Sequence, residues 1–381
     1  MPALRTVARE WGRIGCIGFG GPPTHIALLR DLCVERRCWL TADEFEDAVS
    51  ACNLLPGPAS TQLAIYCARR VRGRAGAVVG GVMFIVPGLA LILALAALFL
   101  SGAPPPWVRG AGAGAGAAVA AVAVRAGWGL VPASWRRAHR AGRIRWACYL
   151  AFGTVSAATL GPWLVLVLLA CGGVELLARR TNLDGMNRTA FTPAVLVGVS
   201  AAAGGLASLV WVAFKVGALS YGGGFVIIPL MQADAVHRYH WMTNGQFLNA
   251  VALGQVTPGP VVQTVAVVGY AAFGVGGGLL AAAVAFAPSF LFVVVGAHHF
   301  DRLRSNRHAR TFLDGAGPAA IGAILGSAIP LALALVEPWQ FAVLAAAAIL
   351  LLALRRAVVT TLLTAGAIGI LVAIVDGPIP R

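Results

Sequence analysis

The segment Leu55-Pro56-Gly57-Pro58-Ala59 interrupts an apolar stretch of the chain, and Thr257-Pro258-Gly259-Pro260-Val261 does the same further on. Each proline lacks an amide donor and the glycine between them has a low helix propensity, so neither triplet fits inside a regular helix. Within a membrane, such backbone is tolerated only where it is buried in protein or lines a polar cavity. The two triplets therefore predict deliberate breaks in membrane helices.

The composition is that of a membrane protein. Of the 381 residues 59% are hydrophobic and 11% charged, and the mean hydropathy is +0.82, which leaves too little polar surface for a soluble globule. The net charge of +15 does not indicate a nucleic-acid partner, because the arginines lie mostly between the apolar runs. We expect an all-α polytopic protein in contact with the lipid bilayer. Runs of near-spanning length are 75–100, 111–124, 163–178, 279–295 and 341–354.

The triplets belong to an internal repeat. Adding 202 to a residue number maps Gly20-Gly21 onto Gly222-Gly223, Trp39 onto Trp241, and the first triplet onto the second. The glycine pairs stand in the sequences FGGP and YGGG, which we interpret as further breaks. A repeat of about half the chain predicts two related units, residues 1–190 and 191–381.

The arginines indicate that the two units have opposite orientations. Four arginines lie at 69–74 and one at 101–109, whereas in the second unit 269–278 is uncharged and 301–310 holds four arginines. Because arginine-rich loops face the cytoplasm, equivalent loops lie on opposite sides of the membrane. We predict two inverted repeats of about five transmembrane segments each. Twelve crossings are the alternative to ten, because the blocks 146–178 and 341–375 could each hold two helices.

Broken helices from two inverted units are typical of substrate sites in secondary transporters, and half-helix N-termini suit an anion. Arg13 and Lys215 are equivalent cations near a break, where an intramembrane charge costs about 2.5–3.5 kcal/mol. Alternatively, both lie near helix ends and reach the interface. The candidate substrate-binding residues are Arg13, Phe19, Gly20, Gly21, Pro22, Asn53, Pro56, Gly57, Pro58, Thr61 and Gln62, with Lys215, Tyr221, Gly222, Gly223, Gln255, Pro258, Gly259, Pro260, Gln263 and Thr264.

Other polar residues are less specific. The side chains beside the triplets could equally bond broken backbone or neighbouring helices. Glu10 and Asp234 are candidate proton sites or ordinary interfacial charges, and His25 favours a structural role. The seven cysteines include no C-x-x-C pair and no metal-ligand spacing, so we expect no metal, no cofactor and no catalytic residue.

Several of these motifs together resemble the chromate ion transporter (CHR) family in its long two-domain form. They are Phe19-Gly20-Gly21-Pro22 with His25-Ile26, Trp39-Leu40-Thr41 with Phe45, Pro56-Gly57-Pro58 with Thr61-Gln62-Leu63-Ala64, Lys215-x-Gly217 with Tyr221-Gly222-Gly223, and Pro258-Gly259-Pro260. The resemblance implies a bacterial inner-membrane protein that exports chromate, by exchange or proton coupling, with sulfate as a similar oxyanion. It also implies halves of opposite orientation, which in some relatives are separate proteins.

We therefore expect a secondary transporter for chromate that confers chromate resistance, and not an enzyme. An anion channel and a transporter of sulfate or another oxyanion are the alternatives. A chromate reductase using Cys33 and Cys38 is disfavoured, because the sequence has no nicotinamide or flavin fingerprint. A homodimer is left open.

Overall fold

The computed structural model describes residues 2–52, 55, 57–138, 142–159, 164–180, 205–220, 226–296 and 306–380. Regular structure within these ranges is helical, with no β-strand. The helices are α1 (Leu4–Ile17), α2 (Pro22–Arg30), α3 (Ala42–Cys52), α4 (Ala59–Phe99), α5 (Pro106–Arg137), α6 (Arg143–Thr159), α7 (Leu164–Arg180), α8 (Leu206–Leu219), α9 (Ile227–Gln232), α10 (Asn244–Val256), α11 (Thr264–Gly296), α12 (Arg307–Leu333), α13 (Pro338–Ala348) and α14 (Val358–Ile374). The π-helical segments Asp31–Arg36, Ala233–Arg238 and Ile349–Ala353 continue α2, α9 and α13, and a 3-10 turn, Val261–Gln263, precedes α11.

Short helices pair into four hairpins, each with a tip between its helices and an open base. Hairpin 1 is α1 with α2, hairpin 2 is α3 with the first part of α4, hairpin 3 is α8 with α9, and hairpin 4 is α10 with the first part of α11. At the base of hairpin 2, Glu44 forms an ion pair with Arg70. At the base of hairpin 4, the rings of Trp241 and Phe273 lie 6.5 Å apart.

These base contacts correct one sequence interpretation. The apolar stretches 45–68 and 247–273, each interrupted by a triplet, predict single broken crossings of the membrane, but the two ends of such a crossing cannot touch. The 11 residues of α3 rise only about 16 Å, roughly half of the hydrocarbon core. The chain therefore enters and returns on the same side. Residues 4–33 also form a hairpin, in which Trp11 stacks on Trp39 at 6.1 Å.

The helices α4 and α11 each reverse direction sharply at one glycine. The turns are Arg72-Gly73, with φ/ψ of −145/28° and 63/−156°, and Phe273-Gly274, with −145/29° and 64/−156°. The positive φ favours glycine at the second position of both turns. The turns are 201 residues apart and the triplets 202, so one residue fewer follows the second triplet. Gln62 therefore corresponds structurally to Gln263, and not to Thr264 as the constant offset implied.

Beyond these turns, the long arms of α4 and α11 pack side by side in opposite directions. A Cβ at Gly81 would lie 2.6 Å from the ring of Phe290, and one at Gly278 would lie 2.5 Å from Leu93 Cδ2. As the position on α4 rises from 81 to 93, the position on α11 falls from 290 to 278. Glycines permit this close approach of the two backbones.

The remaining helices form two further hairpins that are exchanged between the units. The pair α6–α7 packs on α12, where a Cβ at Gly153 would lie 1.9 Å from the carbonyl oxygen of Ala319. The pair α13–α14 packs on α5, where a Cβ at Gly110 would lie 2.3 Å from the carbonyl oxygen of Gly369. Each unit therefore packs one hairpin against a long helix of the other unit.

One further expectation needs correction, and one alternative is decided. The six arginines at 125–145 predict a loop, but this stretch is largely helical, because α5 continues to Arg137. The block 146–178 holds two helices, and Arg145 of α6 pairs with Glu175 of α7, so they are antiparallel. The presumed turn at Gly161-Pro162 lies outside the described residues.

The outer surface suits a lipid bilayer. Four helices in the described ranges are long and apolar enough to cross a membrane: Ala59–Phe99, Pro106–Arg137, Val261–Gly296 and Arg310–Leu333. On α4, Val78, Val82 and Val86 are between 42 and 48% exposed at a spacing of one turn. An apolar stripe of this kind is stable only against lipid or another apolar surface. The chain is an all-α, multi-pass membrane protein.

Candidate functional site

The tips of hairpins 2 and 4 each bond to the tip of a hairpin in the other unit. The amide of Gly57 donates to the carbonyl of Ser220 in the tip of hairpin 3, at 3.1 Å. The amide of Gly259 donates to the carbonyl of Gly18 in the tip of hairpin 1, at 3.0 Å. Ser220 and Gly18 are 202 residues apart, so the two bonds are equivalent. The tips therefore meet in two pairs across the units, hairpin 2 with hairpin 3 and hairpin 4 with hairpin 1.

The two triplet glycines have a backbone that other residues rarely adopt. Their φ angles are 117° for Gly57 and 103° for Gly259. The following prolines cap the next helical segments, and the amides of Thr61 and Gln62 bond to the carbonyl of Pro58. The glycines turn the chain, and the prolines supply the fixed φ with which a helix begins.

Helices begin at these tips, so their N-termini converge. The helix α4 begins at Ala59, directly after the first triplet, and α2 begins at Pro22. A Cβ at Gly21 would lie 3.8 Å from Val261 in the 3-10 turn before α11. The first amides of a helix lack intrahelical partners and carry a partial positive charge. These N-termini therefore make the region of the tips electropositive.

Buried hydroxyl groups surround this meeting point. The side-chain oxygens of Thr61, Ser220 and Ser289 are fully enclosed and have no hydrogen-bond partner among the described residues. A Cβ at Gly57 would lie 3.2 Å from Ser289 Oγ, which places this hydroxyl against the first triplet. An unsatisfied buried hydroxyl costs about 1–3 kcal/mol, so a ligand that accepts hydrogen bonds would relieve a real penalty.

A cavity of about 540 Å³ leads to the same point. Its inner end is lined by Gly57 and Ala59. Its outer part is lined by Arg136, Arg137 and Arg179, together with Glu175 and Asp314. The volume exceeds what a tetrahedral oxyanion needs, so the ion could enter with water. The cavity joins an arginine-rich mouth to the N-terminus of α4.

The acidic groups at the mouth are held in ion pairs. Glu175, with 4% of its side chain exposed, accepts from Arg145 Nε at 2.9 Å and from Arg179 Nε at 2.8 Å. Tyr149 donates its hydroxyl to the same carboxylate at 3.1 Å. Arg179 also pairs with Asp314 at 2.9 Å, joining α7 to α12. No ion pair to Arg136 or Arg137 occurs within the described residues, so the mouth retains positive charge.

The second triplet is packed closely against α4, whereas the first triplet borders the cavity. A Cβ at Gly88 of α4 would lie only 2.0 Å from the carbonyl oxygen of Pro258, so the tip of hairpin 4 rests on this glycine. Gln263 Nε2 donates to the carbonyl of Ile85 at 2.8 Å and fixes the same tip to α4. The position equivalent to Gly88 is Ser289, one of the unpartnered hydroxyls. The structure is thus asymmetric, with access to the tips from the arginine-rich mouth.

The structure brings many of the predicted residues together at the tips. Pro58, Thr61, Gln62 and the second triplet are buried beside Gly57 or its equivalent, while Phe19 is 40% exposed. Gln255 is buried, and the hydroxyl of Thr264 is satisfied by the carbonyl of Val261. Gly20 and Gly21 have positive φ, as turns before a helix require, and Pro22 begins α2. Five candidates, Asn53, Pro56, Tyr221, Gly222 and Gly223, lie outside the described residues.

The two predicted cations have different environments. Lys215 forms an ion pair with Asp234 inside hairpin 3. Arg13 is exposed on α1, and no contact of its guanidinium with a described residue is recorded. Glu10, the other candidate proton site, pairs with Arg37 near the base of hairpin 1. Equivalence in sequence therefore does not give Arg13 and Lys215 equivalent surroundings.

Some residues at the site carry little sequence signal. Ser289 and Gly88 belong to apolar helices, and only the pairing of α4 with α11 brings them to the triplets. Arg136, Arg137 and Glu175 resemble ordinary charges near helix ends. The histidine is as expected: His25 is fully buried, and its Nε2 lies 2.8 Å from the carbonyl oxygen of Gly18. Of the two cysteines considered for redox chemistry, Cys33 is buried and Cys38 exposed.

Comparison with known proteins places these features in a family. The sequence profile of the family described as "Chromate transporter" matches residues 5–175 and 207–370. The chain is 32% identical to a chromate transport protein of Cupriavidus metallidurans over 86% of this chain and 82% of that protein. It is 29% identical to a chromate transport protein of Pseudomonas aeruginosa over 85% of this chain and 80% of that one. A probable chromate transport protein of Synechococcus elongatus is 26% identical, with shares of 86% and 84%. No solved structure matches the chain.

Proposed function

Because this chain belongs to the chromate transporter family, we propose that it is a secondary transporter that exports chromate across the bacterial inner membrane and so confers chromate resistance. The cavity that ends at Gly57 is the observation that carries the proposal. It connects a positively charged mouth to Gly57 and to Ala59 at the N-terminus of α4, and the unpartnered hydroxyl of Ser289 lies next to Gly57. Such a point offers hydrogen-bond donors, which suits a tetrahedral dianion.

The proposed binding site consists of the tips. Gly57 and Gly259 shape the turns, and the hydroxyls of Thr61, Ser220 and Ser289 donate to the oxyanion. We propose the same role for the other predicted residues of the tips. They include the five that lie outside the described ranges. Lys215 supplies positive charge from hairpin 3. The participation of Arg13 in substrate binding stays a prediction, and chromate flux measured with the Arg13→Gln variant tests it.

We also propose that residues 1–190 and 191–381 are inverted repeats. The opposite directions of the equivalent arms of α4 and α11 support this arrangement. The reciprocal bonds from Gly57 to Ser220 and from Gly259 to Gly18 support it too, because a two-fold axis would interchange them. Tips that enter from opposite sides and meet in the interior are the geometry that alternating access requires.

The direction of transport follows from the mouth of the cavity. Arginine-rich ends face the cytoplasm, so the open cavity admits the anion from inside. Outward movement of a dianion across a potential that is negative inside is favourable by about 2.3 kcal/mol per charge per 100 mV, or about 4.6 kcal/mol for chromate. The membrane potential alone therefore suffices to drive export.

The alternatives fit the site less well. A channel needs a continuous pore, whereas the tip of hairpin 4 rests on Gly88 and blocks the far side. A reductase would need paired thiols, and Cys33 and Cys38 differ in exposure. Sulfate is a dianion of the same shape, so we propose that the site also recognises it. A homodimer stays a prediction.

Flux into inverted membrane vesicles tests the function. We expect saturable uptake of chromate that sulfate inhibits more strongly than phosphate, and that stops when the potential is collapsed while the pH gradient is kept. Thr61→Val and Ser289→Ala should raise the KM for chromate, because each removes one donor. Thr360→Val, on the exposed side of α14, is the matched control. Unsaturable uptake, or donor variants with unchanged KM, would contradict the proposal.

A further inference from the structure

A buried ion pair joins the two arms of hairpin 3 close to the proposed binding site. Lys215 Nζ on α8 contacts Asp234 Oδ2 on the π-helical segment that continues α9. The side chains are 13% and 2% exposed. Lys215 precedes Ser220 by five residues, or about 7.5 Å along a helix axis. Its flexible stem and compact ammonium can exchange one anionic partner for another.

The pair is incompletely satisfied. Asp234 Oδ1 is buried and has no hydrogen-bond partner among the described residues. Burying a carboxylate with an unused oxygen is unfavourable, and protonation removes this penalty. Asp234 also lies in a π-helical segment, a distortion that is frequent at functional sites. An intramembrane acid of this kind is expected to have a function.

The N-terminal unit has no equivalent pair. The positions that correspond to Lys215 and Asp234 hold Arg13, which is exposed, and Leu32, which is buried. The pair of Glu10 with Arg37 lies nearer the base of hairpin 1, and the Arg37 side chain is 44% exposed. A pair needed only to hold a hairpin together would be expected in both units. Its restriction to one unit favours a specific task.

Few other titratable groups face Asp234 within the described part of the chain. The helix α12 presents the apolar residues Ala320, Ala323 and Ile324 to α9. The helix α10 presents Asn244, whose Oδ1 accepts from Gln232 at 3.1 Å. Tyr239 follows the same arm, and its hydroxyl is buried without a partner there. Lys215 is the charged group in contact with Asp234, and His237 and Arg238 follow Asp234 on its own segment, just before Tyr239.

We propose that Asp234 takes up one proton when an oxyanion binds at the tips, which releases Lys215 to neutralise the bound anion. The inference rests on the proposed function. The carboxylate becomes a neutral carboxyl, the lysine stays an ammonium, and the positive charge changes partner. An arriving dianion drives the step by repelling the Asp234 carboxylate and competing for Lys215. If anion and proton leave together, one net negative charge still moves outward, so the potential continues to drive export.

Equilibrium binding to the purified full-length protein in detergent tests this. The dissociation constants for chromate and for sulfate, measured from pH 6 to pH 8, should rise with pH, by up to about tenfold per pH unit for one proton taken up. Sulfate is included because it stays a dianion throughout this range, whereas chromate itself protonates. Addition of sulfate in weak buffer should also make the solution more alkaline, which a pH indicator reports.

Variants identify the side chain that takes up the proton. Asp234→Asn mimics the protonated acid and should bind sulfate with an affinity independent of pH. Glu10→Gln is the matched control, since it also removes a buried carboxylate that forms an ion pair, and it should keep the wild-type slope. A wild-type affinity for sulfate that does not depend on pH, or a slope retained in Asp234→Asn, overturns the coupling and leaves the export proposal standing. Absence of any binding of chromate or sulfate to the wild type overturns both. Proton release on binding, measured on the unmodified protein, also overturns the coupling, whether or not the variants fold.

Discussion

The amide of Gly57 donates a hydrogen bond to the carbonyl of Ser220, 163 residues further along the chain, at 3.1 Å. Its equivalent joins Gly259 to Gly18 at 3.0 Å. These two bonds use backbone groups that the breaks leave without helical partners, so the irregular tips satisfy each other across the units. The arrangement explains how non-helical backbone persists in an apolar surrounding.

Gly57→Ala should abolish transport. Its φ of 117° is strained for alanine, at a cost of about 1–3 kcal/mol. The added Cβ would also lie 2.6 Å from Gln62 Nε2. Gly73→Ala is the control, because Gly73 also has a positive φ but nothing lies within 4 Å of the added Cβ. We expect both variants to melt at a lower temperature in detergent and only Gly57→Ala to lose chromate flux. Equal flux in the two variants would contradict a role for the tip.

Gly88→Ala should also lose transport, since it displaces the tip of hairpin 4. The added Cβ would lie 2.0 Å from the carbonyl oxygen of Pro258 in a region packed on all sides. Overpacking of this kind costs about 1–3 kcal/mol. Gly129→Ala on α5, where nothing lies within 4 Å, should be neutral or slightly stabilising. Thermal unfolding and vesicle flux, measured on both proteins, check this. Normal flux in Gly88→Ala would show that the far side is not sealed at Pro258.

Arg136→Gln and Arg137→Gln should weaken capture of the anion. Both arginines line the mouth of the cavity, and local positive charge raises the concentration and on-rate of an anionic substrate. We expect the KM for chromate to rise by roughly tenfold in the double variant, with kcat nearly unchanged. The effect should shrink at high salt, because salt screens exposed charges. Arg355→Gln, exposed before α14, is the control and should leave KM unchanged.

Glu175→Gln should destabilise the protein, because the amide lacks the negative charge that pairs with Arg145 and Arg179 and has only one acceptor oxygen. We expect a loss of about 1–3 kcal/mol, since the carboxylate is buried but both arginines are partly exposed. The double variant with Arg145→Gln should lose less than the sum of the two single effects. The matched control is Glu44→Gln, whose pair with Arg70 is exposed and is expected to contribute about 0–1 kcal/mol. Additive losses in unfolding experiments would contradict the network.

Cysteines introduced at Arg74 and at Val275 should react from opposite sides of the membrane. The two exposed positions directly follow the turns of α4 and α11 and are structurally equivalent. In a background without the seven native cysteines, a membrane-impermeant maleimide should label the cysteine at position 74 in inverted vesicles and the one at 275 in whole cells. Labelling of both from one side would contradict the inverted arrangement.

Much of the fold could be predicted from the sequence. The low charge and the apolar runs require membrane helices, because no soluble core could bury so much apolar surface. The triplets and glycine pairs mark the turns where Gly57 and Gly259 adopt positive φ. Local chemistry is decisive at these positions, since a proline lacks its amide whatever surrounds it. The family was also evident from the motifs and is supported by comparison over most of the chain.

Contacts between distant segments were not predictable. Sequence spacing alone cannot distinguish an interrupted crossing from a hairpin, and the difference became visible only in pairs such as Glu44 with Arg70. The same holds for Ser289, which is an ordinary polar residue of an apolar helix until α11 brings it to Gly57. Equivalence in the repeat likewise did not predict that Lys215 is paired within hairpin 3 while Arg13 is exposed.

The sequence by itself indicated a membrane protein with an internal repeat, and it marked Gly57 and Gly259 as positions of irregular backbone. These properties depend on solvation and on backbone freedom, which each residue carries with it. The tertiary structure alone decided which tips meet, which hydroxyls are left without partners and which side of the site is open. Those properties depend on packing between segments more than a hundred residues apart, and no local propensity encodes them.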